Sequence, residues 1–306
     1  MKQVLIATEK PFAATAIKKI SDVFNHAGYE MILLSGYKSK SDLLESVKQA
    51  DALIVRSDNV DREVLSAGQK LKIVVRAGAG YDNVDTSFAR EKGIVVMNTP
   101  GQNSNAVAEL AIGLAVFGVR DFFSGKSGGE LRGRTLGLHG YGYVARNVHR
   151  IARGMGMEVK VFTRYSKAQA VSEGLDVTAS LEELYAVSDI ISIHVPARGE
   201  HIGSVSLDVL NQLKDQAIII NTARKEVINE SDLCCIMEKK PGVRYLADII
   251  PDCAAVFEEK FKGRYFFTPK KIGAQTEEAN TNAGVAAADQ IVAFWEKGDE
   301  TFRVNK

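Results

Sequence analysis

Ten short apolar runs recur along the chain: QVLIA, YEMILL, DALIV, LKIVV, GIVVM, TLGLHG, EVKVF, DIISIHV, AIIIN and VRYLA. They are apolar on both faces and do not alternate with polar residues. Such runs need cover on both sides, which is the condition of a strand inside a parallel sheet. The cover is written between them: ATAIKKISDVFNHA, VARNVHRIARGM and LCCIMEKK each carry apolar residues at helical spacing. Strand and helix alternating from end to end predict α/β architecture on parallel sheets. Ten strands are more than one ordinary sheet holds. Five fall before Pro100. The others follow a long helix-like segment, SNAVAELAIGLAVFGVR, and a glycine-rich linker, SGKSGGELRG. Two doubly wound parallel-sheet units are therefore expected, 1–98 plus 276–306 and 99–275. The last helix-like segment, EEANTNAGVAAADQIVAFWEKG, has only a short tail after it and is expected to pack back on the first unit.

Charge and cysteine content narrow the class. A net charge of +1 over 306 residues lacks the positive excess that nucleic-acid and membrane-surface binders rely on. The N-terminal MKQVLIATEKPF has a short apolar run and no small-residue cleavage site, so it reads as a first strand. No apolar run approaches the length of a membrane span. Cys234, Cys235 and Cys253 are odd in number, lack zinc-site spacing and fit a reducing, cytoplasmic setting.

The most specific local motif is TLGLHGYGYVAR. Gly140, Tyr141, Gly142, Tyr143, Val144 and Ala145 read G-x-G-x-x-A between a strand and a helix. In that setting the first glycine makes the tight turn and the second lets a pyrophosphate approach the backbone. The alanine permits close helix–sheet packing, and the helix N-terminus faces the phosphates. A dinucleotide cofactor is expected here. The following strand, EVKVF, ends in Thr163 and Arg164 with no acid. An acid there would select the ribose hydroxyl of NAD, and an arginine accepts the 2′-phosphate of NADP. The sequence leaves NAD against NADP open.

The segment VRSDNVDREVLSAGQKLKIVVRAGAGYDNVDTSFAREKGIVVMNTPGQNSNAVAELAIGLAV contains V-R-S, R-A-G-x-G-x-D-N-V-D and N-T-P-x-x-N in order. With LGLHGYG and IIINTARKEVI, it resembles the D-isomer-specific 2-hydroxyacid dehydrogenases, and among them the phosphoglycerate dehydrogenase branch. The resemblance implies a Rossmann cofactor domain inserted in a flavodoxin-like substrate domain. It also implies a homodimer joined through the cofactor domains, with SNAVAELAIGLAVFGVR as the interface helix. The expected substrate is a small phosphorylated 2-hydroxy or 2-keto acid in serine biosynthesis. Hydroxypyruvate or glyoxylate reduction is the alternative, and a dinucleotide sensor without catalysis is a second one. Arg224 is implied as the carboxylate clamp, for which a guanidinium fork is well shaped. Gly78, Ala79 and Gly80 are implied to offer backbone N–H groups to the same carboxylate. Arg56, Ser57 and Arg76 are implied on the substrate phosphate and Asn103 beside the substrate. His194, Val195, Pro196, Thr222, Ala223, Asp248 and Gly273 are implied on the cofactor side, Asp248 orienting the nicotinamide amide.

The chain departs from the family where the chemistry is concentrated. In YFFTPKKIGAQTEEA the family's acid/base histidine before Ile-Gly is replaced by Lys271, with Lys270 beside it. The carboxylate that orients that histidine falls on Cys253, and the nearest acid is Asp252. A protonated lysine can donate to a carbonyl undergoing reduction. The expectation is Lys271 as general acid/base with Asp252 as partner. Lys270 takes the role if it is the one pointing inward, and His194 is the weaker candidate. The chain ends soon after the last helix-like segment, so the regulatory domain of many phosphoglycerate dehydrogenases is expected to be absent.

Overall fold

The structure is a computed structural model that describes residues 1–306, the Lys167 side chain excepted. Each of the ten apolar runs forms a parallel strand, and Tyr265–Phe267 adds an eleventh. The strands are β1 (Gln3–Thr8), β2 (Glu30–Ser35), β3 (Ala52–Val55), β4 (Ile73–Arg76), β5 (Val95–Asn98) and β6 (Thr135–His139). They continue with β7 (Glu158–Phe162), β8 (Ile190–Ile193), β9 (Ile218–Asn221), β10 (Arg244–Ala247) and β11 (Tyr265–Phe267). One sheet has the order β2-β1-β3-β4-β5, the other β11-β10-β9-β8-β6-β7. The chain divides into two compact units, 1–104 with 275–306 and 105–274.

The first unit has the flavodoxin-like strand order, with one switch point beside β1. On one sheet face lie the helices Ala14–Ala27 and Glu277–Lys297, which bury Ile20, Phe24, Ala287 and Ile291 against Ile6, Ile54 and Val75. The C-terminal helix is capped at Thr276, whose side chain accepts from the Ala279 N–H. It lies close to the N-terminal helix at Gly284, where a Cβ would fall 2.8 Å from Ile20 Cδ1. The helices Lys40–Val47, Arg62–Ala67 and Thr86–Glu91 cover the other face over Leu53, Val74 and Val96.

The second unit is a doubly wound sheet whose switch point lies between β6 and β8. Val161 of β7 bridges Val177 in parallel, so the chain touches the place of a further strand there. The helices Ser104–Val119 and Tyr143–Gly154 cover one face, and Leu181–Val187, Glu230–Lys239 and Ala254–Lys260 are on the other. The boundaries expected from the sequence are 98/99 and 275/276; the compact units divide after Ser104 and after Ala274. The helix beginning at Ser104 buries Ala108, Ala111, Ile112, Leu114 and Ala115 with Leu136, Leu138 and Ile220 of the second sheet. No helix among the described residues is long and apolar enough to cross a membrane.

Candidate active site

The turn after β6 is shaped for glycine at two positions for different reasons. Gly140 has φ +95°, and a Cβ there would lie 2.7 Å from Val195 Cγ1 and 3.0 Å from the His194 carbonyl oxygen. The next strand end therefore forces this glycine. Around Gly142 nothing lies within 4 Å of a built Cβ. The protein's own packing does not require that glycine, and the space in front of it is open to a ligand. Gly142 is also the N-cap of the helix Tyr143–Gly154, and no side chain caps it. Its leading N–H groups remain available to an anion. Ala145 is fully buried against the sheet. Tyr143 is exposed and Val144 half-buried. Tyr141 donates to or accepts from His149 Nδ1 at 2.9 Å.

The ends of β7 and β8 flank this turn. Thr163 Oγ1 accepts from the Tyr165 N–H at 3.3 Å, and Arg164 forms an exposed ion pair with Glu200 at 2.8 Å. His194 Nε2 is 2.8 Å from Ser192 Oγ. Burial, and then the neighbouring His139, push its pKa down to about 3, so the ring is neutral near pH 7. A neutral ring tied to Ser192 is poorly suited to donate a proton. Val195 is buried, and Pro196 is exposed.

Past β9, Thr222 is buried and its Oγ1 has no hydrogen-bond partner. Next to it, the Ala223 carbonyl oxygen accepts from both Arg224 Nη1 and Lys271 Nζ, each at 3.1 Å. One carbonyl thus holds the ammonium group beside the guanidinium. Lys271 is brought there by the loop after β11, which Asp248 anchors. The Asp248 carboxylate has no solvent exposure. It accepts from Thr268 Oγ1 at 2.8 Å, the Ile272 N–H at 2.9 Å and the Gly273 N–H at 2.7 Å. A Cβ at Gly273 would fall 2.8 Å from Asp248 Oδ2, so only glycine permits the last bond. Lys270 is exposed. Asp252, expected beside Lys271, gives its carboxylate to Lys225 and is mostly exposed. Lys225 immediately follows Arg224 after β9, and it reaches Asp252 in the segment after β10.

In the first unit, the β3 and β4 ends carry the anion-side candidates. Arg56 Nη2 donates to Asn280 Oδ1 at 2.5 Å, and Nη1 donates to the carbonyls of Lys10 at 2.9 Å and Pro11 at 3.3 Å. Ser57 beside it is exposed. Arg76 Nε donates to the Arg56 carbonyl at 2.9 Å. Its guanidinium lies over Gly78, where a Cβ would meet Nη1 at 1.6 Å. Gly78 thus admits the arginine, and its φ of +147° is one that other residues avoid. The Ala79 carbonyl accepts from Asn98 Nδ2 at 2.6 Å. Gly80 and Asn103 are half-buried.

Two positioning groups escaped the sequence reading. Asp58 is 4% exposed and accepts from the Glu9 N–H, Tyr37 hydroxyl and Arg56 N–H, fixing the loop that carries Arg56 and Ser57. Glu230 accepts from the N–H groups of Asp252 at 3.0 Å and Cys253 at 2.8 Å. An acid two residues after an arginine, or in a first helical turn, was the available signal. Neither position indicates which distant loop the carboxylate will hold.

A glycine turn opening onto an uncapped helix, on one of two parallel α/β units, is the architecture of the dinucleotide-binding proteins. More narrowly, the chain belongs to the D-isomer specific 2-hydroxyacid dehydrogenases, whose catalytic-domain description matches residues 4–305. It is similar to the NAD+-bound 3-phosphoglycerate dehydrogenase of Entamoeba histolytica, at 45% identity and a TM-score of 0.87 over 100% of this chain and 99% of that one. It is 33% identical to the D-3-phosphoglycerate dehydrogenase of Methanocaldococcus jannaschii, covering 94% of this chain and 57% of that protein. It is 32% identical to the hydroxypyruvate reductase of Thermotoga maritima, covering 86% and 90% respectively. The chain therefore spans little more than half the length of the first of these curated relatives.

Proposed function

We propose that the protein is a D-3-phosphoglycerate dehydrogenase that interconverts 3-phosphoglycerate and 3-phosphohydroxypyruvate with NAD as cofactor, in serine biosynthesis. The observation that carries this reading is the shared Ala223 carbonyl, which sets the Lys271 ammonium beside the Arg224 guanidinium. That arrangement offers a carboxylate clamp and a proton donor anchored on one and the same carbonyl oxygen. Similarity to the Entamoeba histolytica enzyme supports the phosphorylated substrate.

The residues fit a dinucleotide. Open space at Gly142, the uncapped helix behind it and the unpartnered Thr222 Oγ1 are all places a bound cofactor would satisfy. Tyr141, Tyr143 and Val144 line that turn, and Thr163, Arg164, Val195 and Pro196 lie along the adenosine side. When bound, NAD supplies or accepts the hydride. The chain's own part is polar. Arg224 grips the substrate carboxylate and draws charge onto the carbonyl oxygen. Lys271 gives that oxygen its proton during reduction and takes it back during oxidation. Asp248 keeps Lys271 in place by holding Ile272 and Gly273. Asp252 is paired with Lys225, the residue after Arg224. Within the first unit, Arg56, Ser57 and Arg76 are the candidates for the substrate phosphate, and Gly78, Ala79, Gly80 and Asn103 are the other substrate-side candidates of that unit. The same reading makes the protein a cytoplasmic homodimer joined along the helix Ser104–Val119.

The test is reduction of 3-phosphohydroxypyruvate, hydroxypyruvate and glyoxylate, with NADH and NADPH compared. Lys271→Ala is expected to lower kcat by about 10²–10⁴-fold, the usual contribution of a general acid/base. Undiminished turnover in that variant rules out the lysine. The second reading is a hydroxypyruvate reductase, favoured by the Thermotoga maritima relative, which this chain matches over most of that protein's length. Higher kcat/KM on hydroxypyruvate than on its phosphorylated form would select it.

A further inference from the structure

The C-terminal half of the helix Tyr143–Gly154 faces the first residues of β7 across an open pocket of about 370 Å³. His149, Arg153, Glu158, Val159, Gly174 and Asp176 line it. Its charges are divided. Arg153 and Glu158 bear opposite charges, yet no side-chain hydrogen bond or ion pair engages either among the described residues. Asp176 is already paired with Lys160 at 2.5 Å. His149 has its pKa lowered by burial and then by the nearby Arg153, so its ring is neutral at physiological pH. Its Nδ1 is engaged by the Tyr141 hydroxyl at 2.9 Å, so Nε2 is the ring nitrogen outside that bond on a residue that lines the pocket.

We propose that this pocket binds a small zwitterion of the α-amino-acid class and couples its occupancy to the glycine turn through His149 and Tyr141. A carboxylate placed on Arg153 and the His149 Nε2–H sets an adjacent ammonium toward Glu158. A plain anion would meet Glu158 and Asp176, and a plain cation would meet Arg153, so each half alone is disfavoured. The volume falls in the range of small-molecule sites. The route to the turn is short. Tyr141 is the residue between the two loop glycines, its ring lies edge-on to His149 at 5.7 Å, and the Arg146 guanidinium lies over that ring at 5.1 Å. A ligand that engages Nε2 fixes the tautomer in which Nδ1 accepts from the Tyr141 O–H. That holds Tyr141, and with it the path of residues 140–142. The coupling rests on reading this turn as the cofactor loop; the binding at the pocket does not.

Glycine is the probe, with acetate and methylammonium as its separated halves, added to the full chain at constant ionic strength. The His149 imidazole NMR signals, identified by their loss in His149→Gln, report the pocket. A saturable shift with glycine is expected, about tenfold weaker for either half and for Arg153→Ala or Glu158→Gln. An equal response to acetate and glycine, or an unchanged response in Arg153→Ala, overturns the assignment. NADH affinity measured with and without saturating glycine reports the coupling. A change of about twofold to tenfold is expected, lost in Tyr141→Phe while the His149 shift persists. Unaltered NADH affinity with glycine bound overturns the coupling. A normal His149 response with no NADH binding under any condition upholds the pocket and overturns the cofactor reading instead.

Discussion

Asp58 lies three residues past β3 and Asp248 directly follows β10, and each is withdrawn from solvent. A buried carboxylate is costly unless donors surround it, and each here has three. The donors come from distant segments, so each acid ties a functional loop to its sheet. Asp248→Asn turns one oxygen into an NH2 group that opposes at least one of these donors. It is expected to lower the stability by about 2–4 kcal/mol, read from the urea midpoint. The histidines at the β6 and β8 ends make a pH prediction. His139, 2% exposed, is pushed down to about 4 by burial and then by His201, and His194 is pushed down to about 3. In the unfolded chain both protonate near the ordinary value of about 6.5. The unfolded state therefore binds more protons between about 6.5 and 4, and stability falls as pH drops through that window. At pH 5 the loss is about 2 kcal/mol for each ring. Chemical denaturation at pH 7 and pH 5 checks it, and the double His139→Gln, His194→Gln variant should lack most of the difference.

Among the elements, the turn that ends the helix Ser104–Val119 is the least expected. Asp121, Phe122 and Phe123 have φ values of 52°, 57° and 53°, a left-handed run without glycine. Each such residue costs about 1–2 kcal/mol relative to right-handed backbone. Two groups offset that cost. Phe117 packs edge-on against Phe122, Phe123 and Phe266, with centroids 5.1–5.2 Å apart. Arg244 donates to Asp121 at 2.9 Å and to the Gly118 carbonyl at 2.5 Å, and also lies over the Phe122 ring. The turn is thus held from β10, across the sheet. Arg244→Met keeps much of the packing and removes the ion pair and the bond to the helix end. It should cost about 1–3 kcal/mol, and faster hydrogen exchange at residues 119–124 would localise the effect. Equal exchange there would show that the phenylalanines suffice.

At the level of the whole chain, the two units differ in how they are assembled. The second unit is continuous, whereas the first draws its C-terminal helix from the far end of the sequence. That helix supplies Ala283, Ala287, Ala288 and Ile291 to the cover of the first sheet. A fragment of residues 1–104 therefore keeps only the helix Ala14–Ala27 on that face, leaves the rest of it uncovered, and is expected to bind hydrophobic dyes and lack a cooperative thermal transition. A fragment of residues 105–274 keeps both helical layers and is expected to unfold cooperatively by circular dichroism. Cooperative melting of the first fragment alone would show that the returning helix is dispensable.

The alternation of apolar runs and amphipathic stretches was enough to specify parallel α/β units, because burial on both faces of a strand leaves no other architecture for such runs. The glycine turn was equally legible, since its demands are met within a few consecutive residues. Family motifs pointed to Arg224 and Lys271 as site candidates. What the tertiary structure alone decided is which groups hold one another. Lys271 meets the Ala223 carbonyl, Asp252 meets Lys225, and Asp248 holds the Lys271 loop. These pairings join residues 24 to 48 positions apart. A hydrogen bond acts only over about 3 Å, so its partners are set by where the strands end and not by their order in the chain.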